Sequence, residues 1–272
     1  LICFYDSNGI SIDGEIKDWY KDDIKLRCQS YGWNVIGEID GHNRDEINQA
    51  IVAAKESNKP TMIVCKTSIG YGAGKKQDSE SSHGAPLGEE VLVELRKNLD
   101  WKYKPFEIPE SVYADWDFKE KGKNLEENWK TICADHAKND PEKAALLKRL
   151  MSGDLPQNFM EAFDKHIEVL KENSDSIATR KCSQMILEFL KEHLPELIGG
   201  SADLSGSNNT ITKASSSVNS NSSGNYIYYG VREFGMNAIM NGMSLHGGII
   251  PYGGTFLVFM DYGRNAVRMS AL

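Results

Sequence analysis

The residues able to do chemistry fall in three short strings of this 272-residue chain. In Asp6-Ser7-Asn8-Gly9-Ile10, directly after an apolar run, Asn8 carries a neutral amide oxygen, a hard donor suited to Mg²⁺. The backbone carbonyl of Ile10 can point at the same ion. Open α/β sheets bind ligands at the carboxyl ends of their strands, although Asn-Gly after a strand is also an ordinary turn signal. In Ser82-His83-Gly84-Ala85-Pro86 a histidine stands in a loop, and loops carry sites more often than cores do. In Tyr229-Gly-Val-Arg-Glu233 a carboxyl group stands where a strand gives way to a helix of apolar and small residues. Burial there favours the neutral acid; a Glu facing the helix dipole is the simpler alternative. Phe256, Phe259 and Tyr262 recur at i, i+3 and i+6, which suits either core packing or a flat apolar slot for a planar ring. The Gly-rich string at residues 69–76 fits neither the P-loop spacing nor the dinucleotide fingerprint, so a nucleotide fold is set aside.

These strings need a scaffold, and the hydrophobic pattern supplies one. Residues 1–5, 33–37 and 61–66 read as strands, residues 22–31 and 89–99 as helices, and the stretch from Asn43 through Ala54 as a further helix. Such alternation predicts a parallel sheet covered by helices. Asn43-Arg-Asp-Glu46 has the form of a capping box in front of the stripe Ile47, Ala50, Ile51, Ala54. Residues 109–170 are helical and charged, with breaks expected at Gly122, Pro141 and residues 153–156. A second α/β pattern begins near residue 178: a helix to 194, a strand at 197–199, a polar loop, a strand at 226–229 and a helix from Glu233. The Ser- and Asn-rich residues 208–223 are expected to form a mobile surface loop.

Composition narrows the class. The formal net charge is -8 and no long basic run occurs, so nucleic acid is a poor partner. No stretch reaches the length of a membrane span and no signal peptide is seen. Cys3, Cys28, Cys65, Cys133 and Cys182 are scattered without a C-x-x-C pair, which argues for a reducing, cytoplasmic compartment and for packing roles. The chain opens on an apolar run and closes on a helical pattern without a stop signal, as expected of a piece of a longer protein.

Taken together, residues 4–14, 82–88, 101–109, 199–204, 224–236 and 266–269 resemble the transketolase family, and the likeness runs the length of the chain. The resemblance implies an α/β fold of two thiamine-diphosphate-binding-type domains, both incomplete here. Residues 1–144 correspond to the rear part of a diphosphate-binding domain, 145–177 to a helical connector, and 178–272 to the front part of a pyrimidine-binding domain. It also implies a homodimer with thiamine diphosphate at the subunit interface, and transfer of a two-carbon ketol unit between sugar phosphates of the pentose phosphate pathway.

Carried over by position, Asn8 and the Ile10 carbonyl ligate Mg²⁺ (Ca²⁺ or Mn²⁺ as substitutes), with Asn8 near the diphosphate. His83 contacts cofactor and substrate. Glu233 bonds the pyrimidine ring nitrogen, and Phe256, Phe259 and Tyr262 form the ring pocket. Arg180 and Ser207 bind the sugar phosphate, Arg being the residue whose fork matches a phosphate. Ser205-Gly206 departs from the family's residue-Pro step before Ser207. The acidic Mg²⁺ ligand of the family is expected before Leu1, so the chain alone is expected to be inactive. Dihydroxyacetone synthase and deoxyxylulose-phosphate synthase share the chemistry, but residues 101–109 favour transketolase. A catalytically dead binding subunit is disfavoured by the presence of Asn8, His83 and Glu233.

Overall fold

The apolar run at residues 61–66 sits in the middle of the first sheet, and its neighbours follow from the alternation around it. A computed structural model describes residues 1–172, 176–219 and 221–272, and separates into two units, Leu1–Asp117 and Phe118–Leu272. Residues 173–175 of the expected connector, and Ser220 of the expected loop, lie outside the described residues.

The first unit runs β1 (Ile2–Ser7), a small hairpin of β2 (Ile10–Ser11) and β3 (Gly14–Glu15), α1 (Ile24–Ser30), β4 (Asn34–Asp40), α2 (Arg44–Glu56), β5 (Thr61–Lys66), α3 (Glu89–Asn98) and α4 (Glu110–Trp116). Strands β1, β5 and β4 pair in that order, all parallel. Both faces of β5 are covered, which explains its continuous rather than alternating hydrophobicity. The stripe of α2 packs on it: Ala50 and Ala54 meet Ile63 and Cys65, flanked by Ile36, Ile39 and Ile51. Burying a side chain such as Ile63 contributes about 1.5–3 kcal/mol.

The cap of α2 differs from the expected box in one bond. The Asn43 side chain accepts from Asp45 N and Glu46 N, as expected. Glu46 does not return to the Asn43 amide. That N–H is already bonded to Asp40 O at 3.1 Å, so the Glu46 carboxylate accepts instead from Asp40 N at 2.8 Å and from Asn43 Nδ2 at 3.0 Å. The cap thereby locks the end of β4 to the start of α2.

The second unit runs α5 (Lys119–Asn139), α6 (Pro141–Ser152), α7 (Phe159–Glu172), α8 (Thr179–His193), β6 (Leu197–Ser201), α9 (Ser205–Asn208), β7 (Tyr226–Tyr228), α10 (Glu233–His246), β8 (Ile250–Gly254) and α11 (Met260–Ala271). The expected break at Gly122 does not occur. Gly122 N bonds Phe118 O at 2.7 Å inside α5, and one helical glycine costs only about 1 kcal/mol. The break at Pro141 is real: proline opens α6 behind the Asp140 cap.

Strands β7, β6 and β8 are parallel in that order. The sequence pattern assigned no element at β8, which carries Pro251 and two glycines; on an edge strand those residues are tolerated. Strand β6 needs its glycines. A Cβ on Gly199 would lie 1.9 Å from Tyr252 O, and one on Gly200 1.8 Å from Ile227 O. Phe159, Phe189, Leu194 and Leu197 form the core beneath this sheet.

Two buried charged groups shape the second unit. Arg149 of α6 makes a bidentate pair with Glu196 at the foot of β6, at 2.6 and 3.0 Å. The guanidinium holds the Glu196 carboxyl below its usual range. Lys191 of α8 is only 8 % exposed. Its ammonium donates to Ser215 Oγ at 2.7 Å and lies over the rings of Tyr226 and Tyr252. Of the cysteines, Cys28 and Cys65 are buried; Cys182 is exposed, so packing does not account for it. No helix among the described residues is long and apolar enough to cross a membrane.

Both groups give measurable consequences. Glu196→Ala removes the bidentate partner of the half-buried Arg149, which keeps only its bond to Asp154 O, and should destabilise the second unit by about 1.5–3 kcal/mol, read as a lowered urea midpoint. Burial lowers the Lys191 pKa to about 8 from an ordinary 10.5. Above about pH 8 the unfolded chain therefore holds more protons than the folded one, and stability rises with pH towards the unfolded value. Thermal unfolding should show a higher midpoint at about pH 9.5 than at neutral pH, and Lys191→Met should abolish that difference.

Candidate functional site

The carboxyl end of β1 delivers Asn8. Register pairs Ser7 with Lys66, so the turn after β1 lies beside the residues after β5. Asn8 Oδ1 accepts from Ile10 N at 2.9 Å, a turn that fixes the side chain and leaves the oxygen a second lone pair. Gly9 sits at φ +74°, a left-handed turn position that suits glycine, and Lys66 Nζ stands 4.0 Å from where a Cβ there would be. Together Asn8, Gly9, Ile10, Lys66, Thr67 and Ser68 line much of a pocket of about 370 Å³.

Lys66 was missed by the sequence reading, because a lysine ending a strand looks like ordinary solvation; only the register of β1 on β5 brings it to Asn8. Its cation suits an anionic group. Asn8 and Ile10 add hard neutral oxygens that fit a divalent cation without completing its shell. Among the described residues no cluster of three or more His, Cys, Asp or Glu could hold a metal. His83 is exposed at the end of a 3₁₀ turn over Glu80–Ser82 and does not line this pocket.

The second unit builds a different half-site. Register sets Ser201, Tyr228 and Gly254 level across the sheet. Glu233 therefore enters α10 on one side of β6 while Thr255 leaves β8 on the other. Glu233 is 2 % exposed. Tyr262, from the first turn of α11, donates to Glu233 Oε2, and Thr255 Oγ1 donates to Oε1 at 3.4 Å. The bond it donates to Glu233, with desolvation adding, raises the Tyr262 phenol above its ordinary pKa, since losing the proton would break that bond. The Glu233 backbone carbonyl accepts from Asn237 Nδ2 at 2.8 Å.

The aromatic stripe is not core packing. Phe256 and Phe259 stack at 6.0 Å with rings 13° from parallel, and Phe256 and Tyr262 remain 40 % and 52 % exposed. An open apolar wall beside a buried carboxyl group suits a flat, polar-edged ring. The sequence placed Tyr262 in that wall; its bond to Glu233 was not foreseen, because it depends on how α11 folds back on α10.

Arg180 lies exposed in the first turn of α8, and Ser207 lies exposed in the short turn α9. That turn hangs on Ser201 Oγ, which accepts from Leu204 N and Asn208 Nδ2 and donates to Gly254 O. The structure thus brings Glu233, Tyr262 and Thr255 into one cluster and Asn8, Ile10 and Lys66 into another.

Comparison with known proteins gives a family for the two halves of the chain. Residues 1–156 match the family described as transketolase, thiamine diphosphate binding domain, and residues 175–272 match transketolase, pyrimidine binding domain. A transketolase 1 of Pasteurella multocida is 50% identical over the whole chain, and one of Escherichia coli 49%. The chain spans 41% of the length of each. Among solved structures, a transketolase from Leishmania mexicana matches with a TM-score of 0.87 at 35% identity, over 99% of this chain and 40% of that one. A transketolase from Pichia stipitis in complex with sedoheptulose-7-phosphate matches with 0.88 at 35%, over 100% and 41%. With parallel sheets, covering helices and both matched domains in hand, the chain belongs to the transketolase family.

Proposed function

We propose that this chain supplies the central part of a transketolase, in which a two-carbon ketol unit passes reversibly from a ketose phosphate to an aldose phosphate. The observation that carries the reading is Glu233: a carboxyl group taken out of water, met by two hydroxyl donors, beside an open aromatic wall. Thiamine diphosphate, when bound, supplies the electron sink that a ketol transfer needs. Residues 1–144 then form the rear part of the diphosphate-binding domain, 145–177 the connector, and 178–272 the front part of the pyrimidine-binding domain. In a homodimer the cofactor is shared between the diphosphate half of one subunit and the pyrimidine half of its partner. The pentose phosphate pathway and the cytoplasm belong to the same reading.

In this scheme Glu233, protonated, donates to the pyrimidine ring nitrogen. Tyr262 and Thr255 hold its two oxygens, so the carboxyl group keeps one orientation and loses no entropy on donating. Phe256 and Phe259 present an apolar surface that excludes water from the ring. Asn8 Oδ1 and the Ile10 carbonyl hold Mg²⁺, and Lys66 offsets diphosphate charge in the same pocket. His83, on its exposed turn, reaches cofactor and substrate. Arg180 and Ser207 bind the substrate phosphate, Arg180 by a charge-assisted pair. The chain spans only 41% of the length of its transketolase relatives, so on this reading the 272 residues alone are not expected to turn over.

The reading is tested in the complete enzyme. Glu233→Gln should leave folding intact and lower kcat by about 10²–10⁴; activity within a few-fold of the parent enzyme rules out the role. Arg180→Ala should raise KM for phosphorylated sugars by about ten-fold or more and leave unphosphorylated sugars nearly unchanged. Equal losses on both would remove Arg180 from phosphate recognition.

A further inference from the structure

Helix α8 carries more than Arg180. Gln184 and Lys191 follow at +4 and +11, which at 3.6 residues per turn puts all three on one face. That face meets the Ser-rich segment after α9. Gln184 Nε2 donates to Ile211 O at 2.6 Å, and Lys191 Nζ donates to Ser215 Oγ at 2.7 Å. Ser215 Oγ in turn accepts from Thr212 N at 2.9 Å. The Lys191 ammonium also stands 5.0 Å from the centre of the Tyr226 ring. The hydroxyl of that tyrosine donates to Ser205 Oγ at 2.6 Å and lies within hydrogen-bond distance of Thr210 Oγ1, at 2.9 Å. Ser205 opens the same short turn that holds Ser207. Lys191 thus holds Ser215 directly and lies over the ring of Tyr226, whose hydroxyl holds Ser205 at the start of the α9 turn.

A buried ammonium without a carboxylate is an expensive way to fill this space, and a Met would pack there without that cost. What the ammonium adds is direction, since its hydrogen bond and the two ring faces fix a segment rich in Ser and Asn that has little apolar surface to bury. On the reading given under Proposed function, we propose that Lys191 is a positioning residue that sets the enzyme's preference for phosphorylated sugars, by holding the Ser207 turn in place relative to Arg180 on the same helix.

The test uses the complete enzyme with paired phosphorylated and unphosphorylated acceptors. Lys191→Met, and separately Tyr226→Phe, which keeps the ring and removes only the hydroxyl, should each raise KM for the phosphorylated acceptor by roughly three- to ten-fold. In both variants kcat should stay within about two-fold, and the unphosphorylated acceptor should be unaffected. A purely structural role would lower activity on both acceptors alike, and that result overturns the proposal. So does an unchanged preference in both variants while Arg180→Ala still separates the two acceptors; in that case the phosphate site stands and Lys191 plays no part in it. If Arg180→Ala also fails to separate them, the phosphate site itself is wrong and this inference falls with it.

Discussion

Each unit depends on one buried central strand. A strand covered on both faces must satisfy every backbone N–H and C=O through its neighbours, because water cannot reach them. Strand β5 does so between β1 and β4, and β6 between β7 and β8. The pairing is parallel in both cases, so all carboxyl ends point the same way within a sheet, and the loops that leave them converge. Asn8 and Lys66 meet because Ser7 is level with Lys66; Glu233 and Thr255 meet because Tyr228, Ser201 and Gly254 are level. The glycines of β6 belong to the same constraint: any side chain at 199 or 200 would strike a neighbouring backbone carbonyl and push the strands apart.

Once strand ends are fixed, polar groups at those ends do the local work. Ser201, at the end of β6 and fully buried, joins β8 to the turn at α9 through one hydroxyl. The Glu46 carboxylate joins β4 to α2, and Arg149 with Glu196 joins α6 to the foot of β6. Buried polar groups are costly unless bonded, so the buried Ser201 and Glu196 also select one arrangement over its alternatives.

The chain's own sequence determined its strands and helices wherever one period dominated. Residues 62–65 are apolar throughout and form the middle of a doubly covered strand; the stripe from Ile47 to Ala54 faces the core; Asn43, Asp140 and Gly153 sit at helix ends by their own local bonding. The strings around Asn8, Glu233 and the aromatics were legible as chemistry because each pairs an unusual polar residue with a strand end or an apolar setting. Gly122 was misjudged because glycine acts locally, and a long helix can absorb its cost.

Tertiary structure alone decided which residues share a site. Lys66 reaches Asn8 across 58 positions only through strand register. Tyr262 bonds Glu233 only because α11 folds back on α10, and Lys191 reaches Ser215 only because α8 lies along the segment after α9. No local rule contains these pairings. Sequence periodicity fixes which face of an element is apolar, while the partner of a polar side chain is set by the packing of elements distant along the chain.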